Sequence, residues 1–369
     1  MRISKLEVNL LTLPLASAFS ISSGVVHSKD AVIVKVFTQD GRVGYGESST
    51  FTDPVFTGET SKGVVYALCK LLAPRIIGKD FESPGDFVAA YNDIVGHNAA
   101  KHGLESAFWH VYSLYADKSL STLFNGVKTH ISVGESIGLK NSIAETIEEV
   151  EKRLSEGYQR IKLKIQPGWD ITVVEAVRRK WPDIKLSVDA NTAYTLDEHV
   201  EVMTILDSYD LSMIEQPFGA KNLLDHAALQ KVIKTPICLD ESIQNLADLK
   251  ASLMVGACKI VNIKPVRVGG IVESIKIHDY AASHGVAVWC GGMLETGIGR
   301  AFNIALASKK GFTHPADMSP PKIFYLEDLI DPTFTVDNNG TIVVPTTPGL
   351  GYNVRNDLIE KYTVDRFVG

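Results

Sequence analysis

Hydrophobic residues alternate with polar residues along positions 1–49 of the chain, a pattern typical of antiparallel strands. The runs LEVNLLTL and AVIVKVFT are followed by a turn signal at Asp40 and Gly41 and then by the run VGYGE. The period then lengthens, and apolar residues recur at three- and four-residue steps near residues 61–76, 84–95 and 99–117. Strands followed by helices predict a small α+β domain over residues 1–127.

Beyond residue 128, short β-branched runs alternate with amphipathic stretches such as AETIEEVEKRLSEG. Each run has the length of a strand and is separated from the next by a helical stretch, which is typical of a parallel sheet. The eight runs are ISVGESI, RIKLKI, IKLSVDA, LSMIEQP, PICLDES, KIVNIKP, VAVWCGG and FTHPADM. Because eight parallel strands close a barrel, residues 128–320 are predicted to form a (β/α) barrel of the α/β class.

The remaining residues, 321–369, have an antiparallel character, with the turn signal DNNG at 337–340 between the runs FTV and TIVVP. We expect this tail to return to the first domain. Since no low-complexity linker separates the two domains, they are predicted to share a packed interface.

Composition narrows the functional classes. The chain has 37 Lys and Arg against 43 Asp and Glu, a net charge of −6 and a pI near 5.9, which argues against a nucleic-acid binder. Its apolar runs are shorter than the roughly 18 residues of a membrane span. The four cysteines lack the spacing of a zinc site or a disulfide framework, which suits a reducing compartment. We therefore expect a cytoplasmic protein with a small-molecule substrate, and the sequence leaves a homo-oligomer open.

Charged and amide side chains follow the carboxyl ends of five successive predicted barrel strands. The motifs are KLK at 162–164, DAN at 189–191, EQP at 215–217, DES at 240–242 and KP at 264–265. From Lys164 onward the charged positions are separated by 25, 26, 25 and 24 residues, which is one strand and one helix each time. These side chains are therefore predicted to share one rim, the rim that carries the active site in barrel enzymes.

Three of these residues are the carboxylates Asp189, Glu215 and Asp240. Carboxylates that converge in a partly apolar site repel one another unless a cation lies among them, and oxygen ligands favour a hard divalent ion. We expect the three to bind Mg²⁺, with Mn²⁺ as another suitable ion, and Asn191 and Glu241 to orient them. Each acid alone would also suit a helix N-terminus, but the regular spacing favours the metal site.

Three lysines complete the predicted site. Lys162 and Lys164 are two residues apart on one strand and point to the same face, so the charge of Lys162 should lower the pKa of Lys164 and favour its action as a base. Lys264 follows a strand four places away in the ring of eight, which puts it opposite Lys164. A base beside a divalent cation suits the abstraction of a proton α to a carboxylate through a metal-stabilised enediolate.

Two other functions would use the same residues. A Schiff-base aldolase would employ Lys164 or Lys264 as its nucleophile, but that reaction leaves the three carboxylates without a role. A non-catalytic barrel that binds a metal would not require the two lysines. Proton abstraction accounts for both groups of residues.

With these motifs the chain resembles the enolase superfamily, in its muconate-lactonizing subgroup, and within it the o-succinylbenzoate synthase and N-succinylamino acid racemase family. The resemblance spans essentially the whole chain and includes NIKPVRVGG at 262–270 and WCGGMLETGIGRA at 289–301 beside the strand-end motifs. It implies a (β/α)7β modified TIM barrel with an α+β capping domain, which the N-terminal region and the C-terminal tail form together.

The resemblance also implies roles for the strand-end residues. Lys164 and Lys264 would be the catalytic pair, and the three carboxylates would be the Mg²⁺ ligands. The synthases of this family carry out the syn dehydration of 2-succinyl-6-hydroxy-2,4-cyclohexadiene-1-carboxylate in menaquinone biosynthesis. The racemases use the two lysines as bases on opposite faces of the α carbon of an N-acylamino acid. Because both reactions share these motifs, a synthase, a racemase and a bifunctional enzyme stay open.

Substrate contacts are also implied by the resemblance. The loop of Gly291, Gly292 and Met293 would contact the succinyl carboxylate, and segments 19–26 and 51–56 would close over the mouth of the barrel. Related dipeptide epimerases usually carry an Asp-x-Asp signature at the last barrel strand. Here that region is ADMS at 316–319, which disfavours an epimerase.

Overall fold

A computed structural model describes residues 1–21, 24–54 and 57–369 of the chain, and for residues 17–21 and 24–27 it describes the backbone alone. The N-terminal part is an antiparallel sheet covered by helices. The strands are β1 (Ile3–Ile21), β2 (Gly24–Thr38) and β3 (Val43–Ser48). The helices are α1 (Ser61–Tyr66), α2 (Ala73–Ile76), α3 (Pro84–Ala89), α4 (Asn98–Ala116) and α5 (Leu120–Leu123), with a π-helical segment, Ala67–Leu72, between the first two.

Both faces of this sheet are buried at the centre of β2, where successive residues are apolar instead of alternating with polar ones. Val32 and Val34 of β2 are buried in the core beneath the helices α1–α4, whereas Ala31 and Ile33 lie in the core that continues into the second domain. Successive side chains of a strand point to opposite faces, so one strand serves two cores. The predicted packed interface between the domains is confirmed.

The second domain is a barrel of parallel strands. Its strands are β4 (His130–Ile137), β5 (Arg160–Lys164), β6 (Lys185–Asp189), β7 (Ile214–Glu215), β8 (Ile237–Leu239), β9 (Ile260–Ile263), β10 (Ala287–Cys290) and β11 (Ala316–Asp317). Its helices are α6 (Ile143–Ser155), α7 (Ile171–Lys180), α8 (Leu196–Leu206), α9 (Leu223–Val232), α10 (Leu246–Val255), α11 (Pro265–Val268), α12 (Ile271–Ser283) and α13 (Gly297–Ala307). The 3₁₀ segments are Asp207–Tyr209 and Pro321–Ile323.

The barrel strands follow the order β10-β9-β8-β7-β6-β5-β4-β11, and β11 runs parallel to β4. At the remaining seam, Val288 forms a parallel bridge with Phe312, and the Thr313 N–H donates to the Val288 carbonyl over 3.1 Å. Helices connect all successive strands up to β11, which is followed by none of comparable length. The predicted (β/α)7β barrel and its eight strands are confirmed.

The C-terminal tail is divided between the two domains. Its elements are β12 (Ile330–Asp331), β13 (Thr341–Val343), β14 (Asn353–Val354), α14 (Asn356–Tyr362) and β15 (Thr363–Val368). The last strand, β15, pairs antiparallel with β1 and adds a fourth strand to the N-terminal sheet. However, β13 pairs with β4 at the barrel rather than with the run before the turn. The sequence pattern did not indicate this division.

Among the described residues, no helix has the length and hydropathy needed to cross a membrane. The four cysteines are free thiols, of which three are buried.

Two glycines of β3 allow α4 to lie directly on the sheet. A Cβ atom at Gly46 would lie 2.3 Å from the Gly103 carbonyl oxygen of α4, and one at Gly44 would lie 2.0 Å from that of Ala107. Because backbone atoms cannot yield to such contacts, a side chain at either position would push the helix away.

We therefore predict that Gly46→Ala lowers the free energy of unfolding by about 2 kcal/mol. Urea denaturation measures this change. The matched control is Gly138→Ala, because a Cβ there meets no atom within 4 Å. Equal stability of the two variants would contradict the proposed close contact.

Candidate active site

The predicted functional side chains meet at the carboxyl end of the barrel. Strand register aligns Lys164 of β5 with Asp189 of β6, and Asp189 with Glu215 of β7. Asp240 and Lys264 directly follow β8 and β9 in the same ring. A cavity of about 110 Å³ opens among them, and its lining includes the side chains of all three predicted catalytic lysines.

Asp189 and Lys164 form an ion pair at the rim. Lys164 Nζ lies 2.6 Å from Asp189 Oδ2 and also donates to Asn191 Oδ1. Asn191 Nδ2 in turn donates to Glu241 Oε1 over 3.0 Å. Burial alone would raise the pKa of Asp189, but the charges of Lys164 and Lys162 hold it well below its usual range. The carboxylate therefore stays ionised, and Asn191 connects it to Glu241.

Glu215 is fully buried and has two partners. Lys162 Nζ donates to its Oε2 over 2.8 Å, and Asn262 Nδ2 donates to its Oε1 over 2.7 Å. Asn262 lies two residues before Lys264 and therefore points to the same side of β9. Sequence reasoning missed Asn262, although this period of two was the signal that could have found it.

Asp240 pairs with two cations. Lys264 Nζ lies 2.7 Å from its Oδ2, and the Arg267 guanidinium donates to its Oδ1. Burial lowers the pKa of Arg267 to about 10, with the charge of Glu215 acting against the shift. Arg267 was not predicted. It belongs to the first turn after Lys264, so its side chain returns over the strand end.

Lys162 lies deeper in the barrel than the sequence pattern indicated. Its Nζ is 2.8 Å from Glu215, 2.9 Å from Asp317 and 3.3 Å from Asp189, and it lies 4.8 Å from the centre of the Trp289 ring. Burial would lower the pKa of Lys162, but these carboxylates raise it well above its usual value. Three carboxylates therefore compensate the charge of Lys162 inside the barrel.

Asp317 on β11 anchors this buried lysine. Its Oδ1 accepts from Arg160, and its Oδ2 accepts from Ser136 Oγ over 3.0 Å as well as from Lys162. Burial raises the pKa of Asp317, but the charges of Arg160 and Lys162 outweigh it and keep the carboxyl ionised. Arg160 lies two residues before Lys162 on β5, so its side chain points to the same face of the strand as those of Lys162 and Lys164. Neither Arg160 nor Asp317 was predicted.

The three predicted metal ligands provide the oxygen donors that a hard divalent cation requires. Among the described residues, no three His, Cys, Asp or Glu side chains are grouped so that they could hold a metal ion, and lysines pair with two of the three predicted ligands. Glu241 Oε2 is buried beside them without a hydrogen-bond partner. The predicted ligands are therefore oxygen donors of the kind that a divalent cation requires, and two of them, Asp189 and Asp240, are paired with Lys164 and Lys264.

The predicted substrate loop is only partly at the cavity. Gly292 and Met293 line it, together with Leu294. Gly291 instead packs on Asn262, whose Oδ1 would lie 2.3 Å from a Cβ at that glycine. The absence of a side chain at Gly291 therefore makes room for the residue that binds Glu215.

Of the two segments expected to close the mouth, residues 22, 23, 55 and 56 lie outside the described residues. Phe51 lines the cavity, and Lys29 Nζ lies 4.4 Å from the centre of its ring. Phe51, the first residue of segment 51–56, therefore lies at the site.

Comparisons with known proteins agree with this architecture. Residues 5–124 match the family described as mandelate racemase / muconate lactonizing enzyme, N-terminal domain. Residues 145–358 match the family described as enolase C-terminal domain-like. The two matches together cover most of the chain.

The chain is 42% identical to an o-succinylbenzoate synthase of Geobacillus kaustophilus, over 96% of this chain and 94% of that protein. It is 38% identical to an N-succinylamino acid racemase of Thermus thermophilus, over 99% and 98%. A crystal structure of an enolase superfamily member from Listeria innocua superposes with a TM-score of 0.96 at 38% identity, covering 100% of this chain and 99% of that one.

We predict that Asp317→Asn lowers the free energy of unfolding by about 3 kcal/mol, because it leaves Lys162 and Arg160 buried with less negative charge. Chemical denaturation measures this loss. The control is Asp80→Asn, which breaks the exposed pair with Arg2 and should change stability by less than about 1 kcal/mol. A loss at Asp317 no larger than at Asp80 would refute the anchoring role.

Proposed function

Because the chain belongs to the enolase superfamily, with the N- and C-terminal domains of the mandelate racemase and muconate lactonizing enzyme family, we propose that it is an o-succinylbenzoate synthase. Its reaction would be the syn dehydration of 2-succinyl-6-hydroxy-2,4-cyclohexadiene-1-carboxylate in menaquinone biosynthesis. The relative from Geobacillus kaustophilus named for this activity is 42% identical. The observation that carries the proposal is that ammonium groups from opposite sides of the barrel line one cavity beside three carboxylates.

Lys164 would remove the α proton of the substrate. In its neutral form, Nζ accepts the proton as the C–H bond breaks, and a double bond forms as the C–O bond of the hydroxyl group breaks. In a syn elimination both groups leave from the same face, so the same ammonium can return the proton to the departing oxygen as water. Asn191 accepts a hydrogen bond from Lys164 and would keep Nζ directed at the substrate.

Lys264 would act from the opposite side of the cavity as a cation. Its ammonium group, four strands away from Lys164 in the ring, would stabilise the negative charge that develops on the substrate. Asp189, Glu215 and Asp240 would hold Mg²⁺ or Mn²⁺, and the bound cation would further stabilise negative charge on the substrate carboxylate.

The cavity walls would exclude water from the reacting atoms. Phe51, Leu294 and Phe324 line the cavity with apolar surface, opposite the charged strand ends. Removing water strengthens the electrostatic interactions between the lysines and a small carboxylate substrate. The four free thiols suit the reducing cytoplasm that we propose as its location.

The second candidate function is N-succinylamino acid racemase, alone or beside the synthase. The placement of Lys164 and Lys264 on opposite sides of one cavity favours it, because racemisation requires a base on each face of the α carbon. The Thermus thermophilus relative bears that name. Values of kcat/KM for both substrates, measured in parallel on one preparation, decide which activity dominates.

A dipeptide epimerase is disfavoured by the charges at β11. Ser319 stands where the second acid of an Asp-x-Asp signature would be, and Asp317 is already paired with Arg160 and Lys162. Asp317 is therefore not free to bind the ammonium group of a dipeptide.

We predict that Lys164→Ala and Lys264→Ala each lower the rate of dehydration about a thousandfold, since each removes a group that acts on the reacting carbon. Circular dichroism should show the wild-type fold in both. Lys180→Ala is the control and should leave turnover unchanged, because Lys180 lies on α7 outside the cavity and pairs with Glu151. Normal turnover of Lys164→Ala would refute its role as the base.

Removal of divalent metal with a chelator should abolish turnover, and added Mg²⁺ or Mn²⁺ should restore it. Tight binding is measured by calorimetry on the apo protein, with Asp240→Asn as a variant of lower affinity. Full activity in protein shown by elemental analysis to be metal-free would contradict the ligand assignment.

A further inference from the structure

A buried carboxylate of the first domain caps a helix of the barrel. Glu47, near the end of β3, is 1% exposed. It accepts hydrogen bonds from the Thr296 N–H over 2.9 Å, from Thr296 Oγ1 over 2.6 Å and from the Gly299 N–H over 2.9 Å. Thr296 is the N-cap of α13, so these donors belong to its first turn.

This contact satisfies groups that the helix cannot satisfy itself. The first N–H groups of a helix have no partner within it, and of these the Thr296 hydroxyl oxygen accepts from the Ile298 N–H alone, over 3.3 Å. A carboxylate is also favoured by the positive end of the helix dipole. Here the cap comes from a different domain, so Glu47 ties the start of α13 to the antiparallel sheet.

The residues next to Glu47 make a second tie, to the loop that precedes α13. Ser49 Oγ donates to the Met293 carbonyl over 2.7 Å, and Lys29 Nζ donates to Ser49 Oγ over 3.1 Å and to the Thr50 carbonyl over 2.5 Å. Residues 47–51 and 292–296 are thereby joined. Both segments line the cavity, through Phe51 on one side and Met293 on the other.

The charges of this junction compensate one another. Burial lowers the pKa of Lys29 to about 8, although the negative charges of Glu47 and Glu295 act to raise it. Burial raises the pKa of Glu47 to about 7, against the bonds from Thr296 that lower it. Neither glutamate is among the predicted ligands or bases, so the catalytic chemistry does not explain why the pair is buried here.

We propose that Glu47 is a positioning residue for substrate binding. Its cap on α13, together with the Ser49 bond to Met293, sets the position of residues 292–294 relative to Phe51 and hence the shape of the cavity away from the lysines. This inference rests on the proposed function in one respect, because the proposed function names the substrate whose KM is measured below.

Glu105 provides a matched comparison in the same domain. It is also 1% exposed, and it accepts from the Val272 N–H at the start of α12 over 2.8 Å and from Trp109 Nε1 over 2.9 Å. Glu105 thus joins the domains by the same type of cap, but on a helix that follows β9 instead of β10. If the loss of any interdomain cap weakens substrate binding, variants of both glutamates will show the weaker binding. If Glu47 positions the cavity wall, only its variants will show it.

The first test is amide hydrogen exchange of the full-length protein with Mg²⁺. In Glu47→Ala, exchange of residues 292–299 should rise about tenfold, with a smaller rise in Glu47→Gln, which keeps one acceptor oxygen. In Glu105→Gln the increase should appear at residues 271–274 instead. Unchanged exchange of residues 292–299 in Glu47→Ala, or an equal rise throughout the chain, would overturn the proposal.

The second test separates KM from kcat. For the substrate that the wild type turns over, Glu47→Gln and Ser49→Ala should raise KM about tenfold while kcat changes less than about threefold, and Glu105→Gln should leave KM unchanged. Ser49→Ala removes a single hydroxyl group and guards against misfolding of the glutamate variants. A similar KM rise in Glu105→Gln would reject a positioning role. A wild type without either activity would instead reject the proposed function, and the exchange test would still decide this inference.

Discussion

Compensation of buried charge at the carboxyl end of the barrel is the constraint on which the structure depends. Asp189, Glu215 and Asp240 are buried and Asp317 is mostly so, and each has a cation within hydrogen-bond distance. An unpaired charge in such a place would cost several kcal/mol. The lysines and arginines therefore stabilise the folded barrel, in addition to the chemistry proposed for the lysines.

The lysines that compensate these carboxylates differ in how far they are enclosed. Lys164 and Lys264 pair with Asp189 and Asp240, two of the three proposed metal ligands. Lys162 differs, because it is enclosed by Glu215, Asp317 and the Trp289 ring. The side chains of the outer lysines, Lys164 and Lys264, are thus 24% and 12% exposed, whereas that of Lys162 is only 3% exposed.

The first domain contributes shape rather than charge to the cavity. Helix α4 packs closely on Gly44 and Gly46, and β3 ends where Glu47 and Ser49 reach the segment between β10 and α13. The site is therefore assembled from two domains with separate tasks. Strand ends of the barrel supply the lysines that line the cavity, and the N-terminal domain supplies Phe51 to its wall.

The sequence by itself determined the two domains, the eight barrel strands and the rim positions of the lysines and carboxylates, because strand alternation and the length of one strand-helix unit are local properties. The tertiary structure alone decided the partners of these charges. Asn262, Arg267, Arg160 and Asp317 are brought to the site by pairing between distant strands, and the enclosure of Lys162 follows from that packing. The division of the tail and the reach of Glu47 to α13 likewise depend on contacts between residues far apart in the chain, for which no local pattern exists.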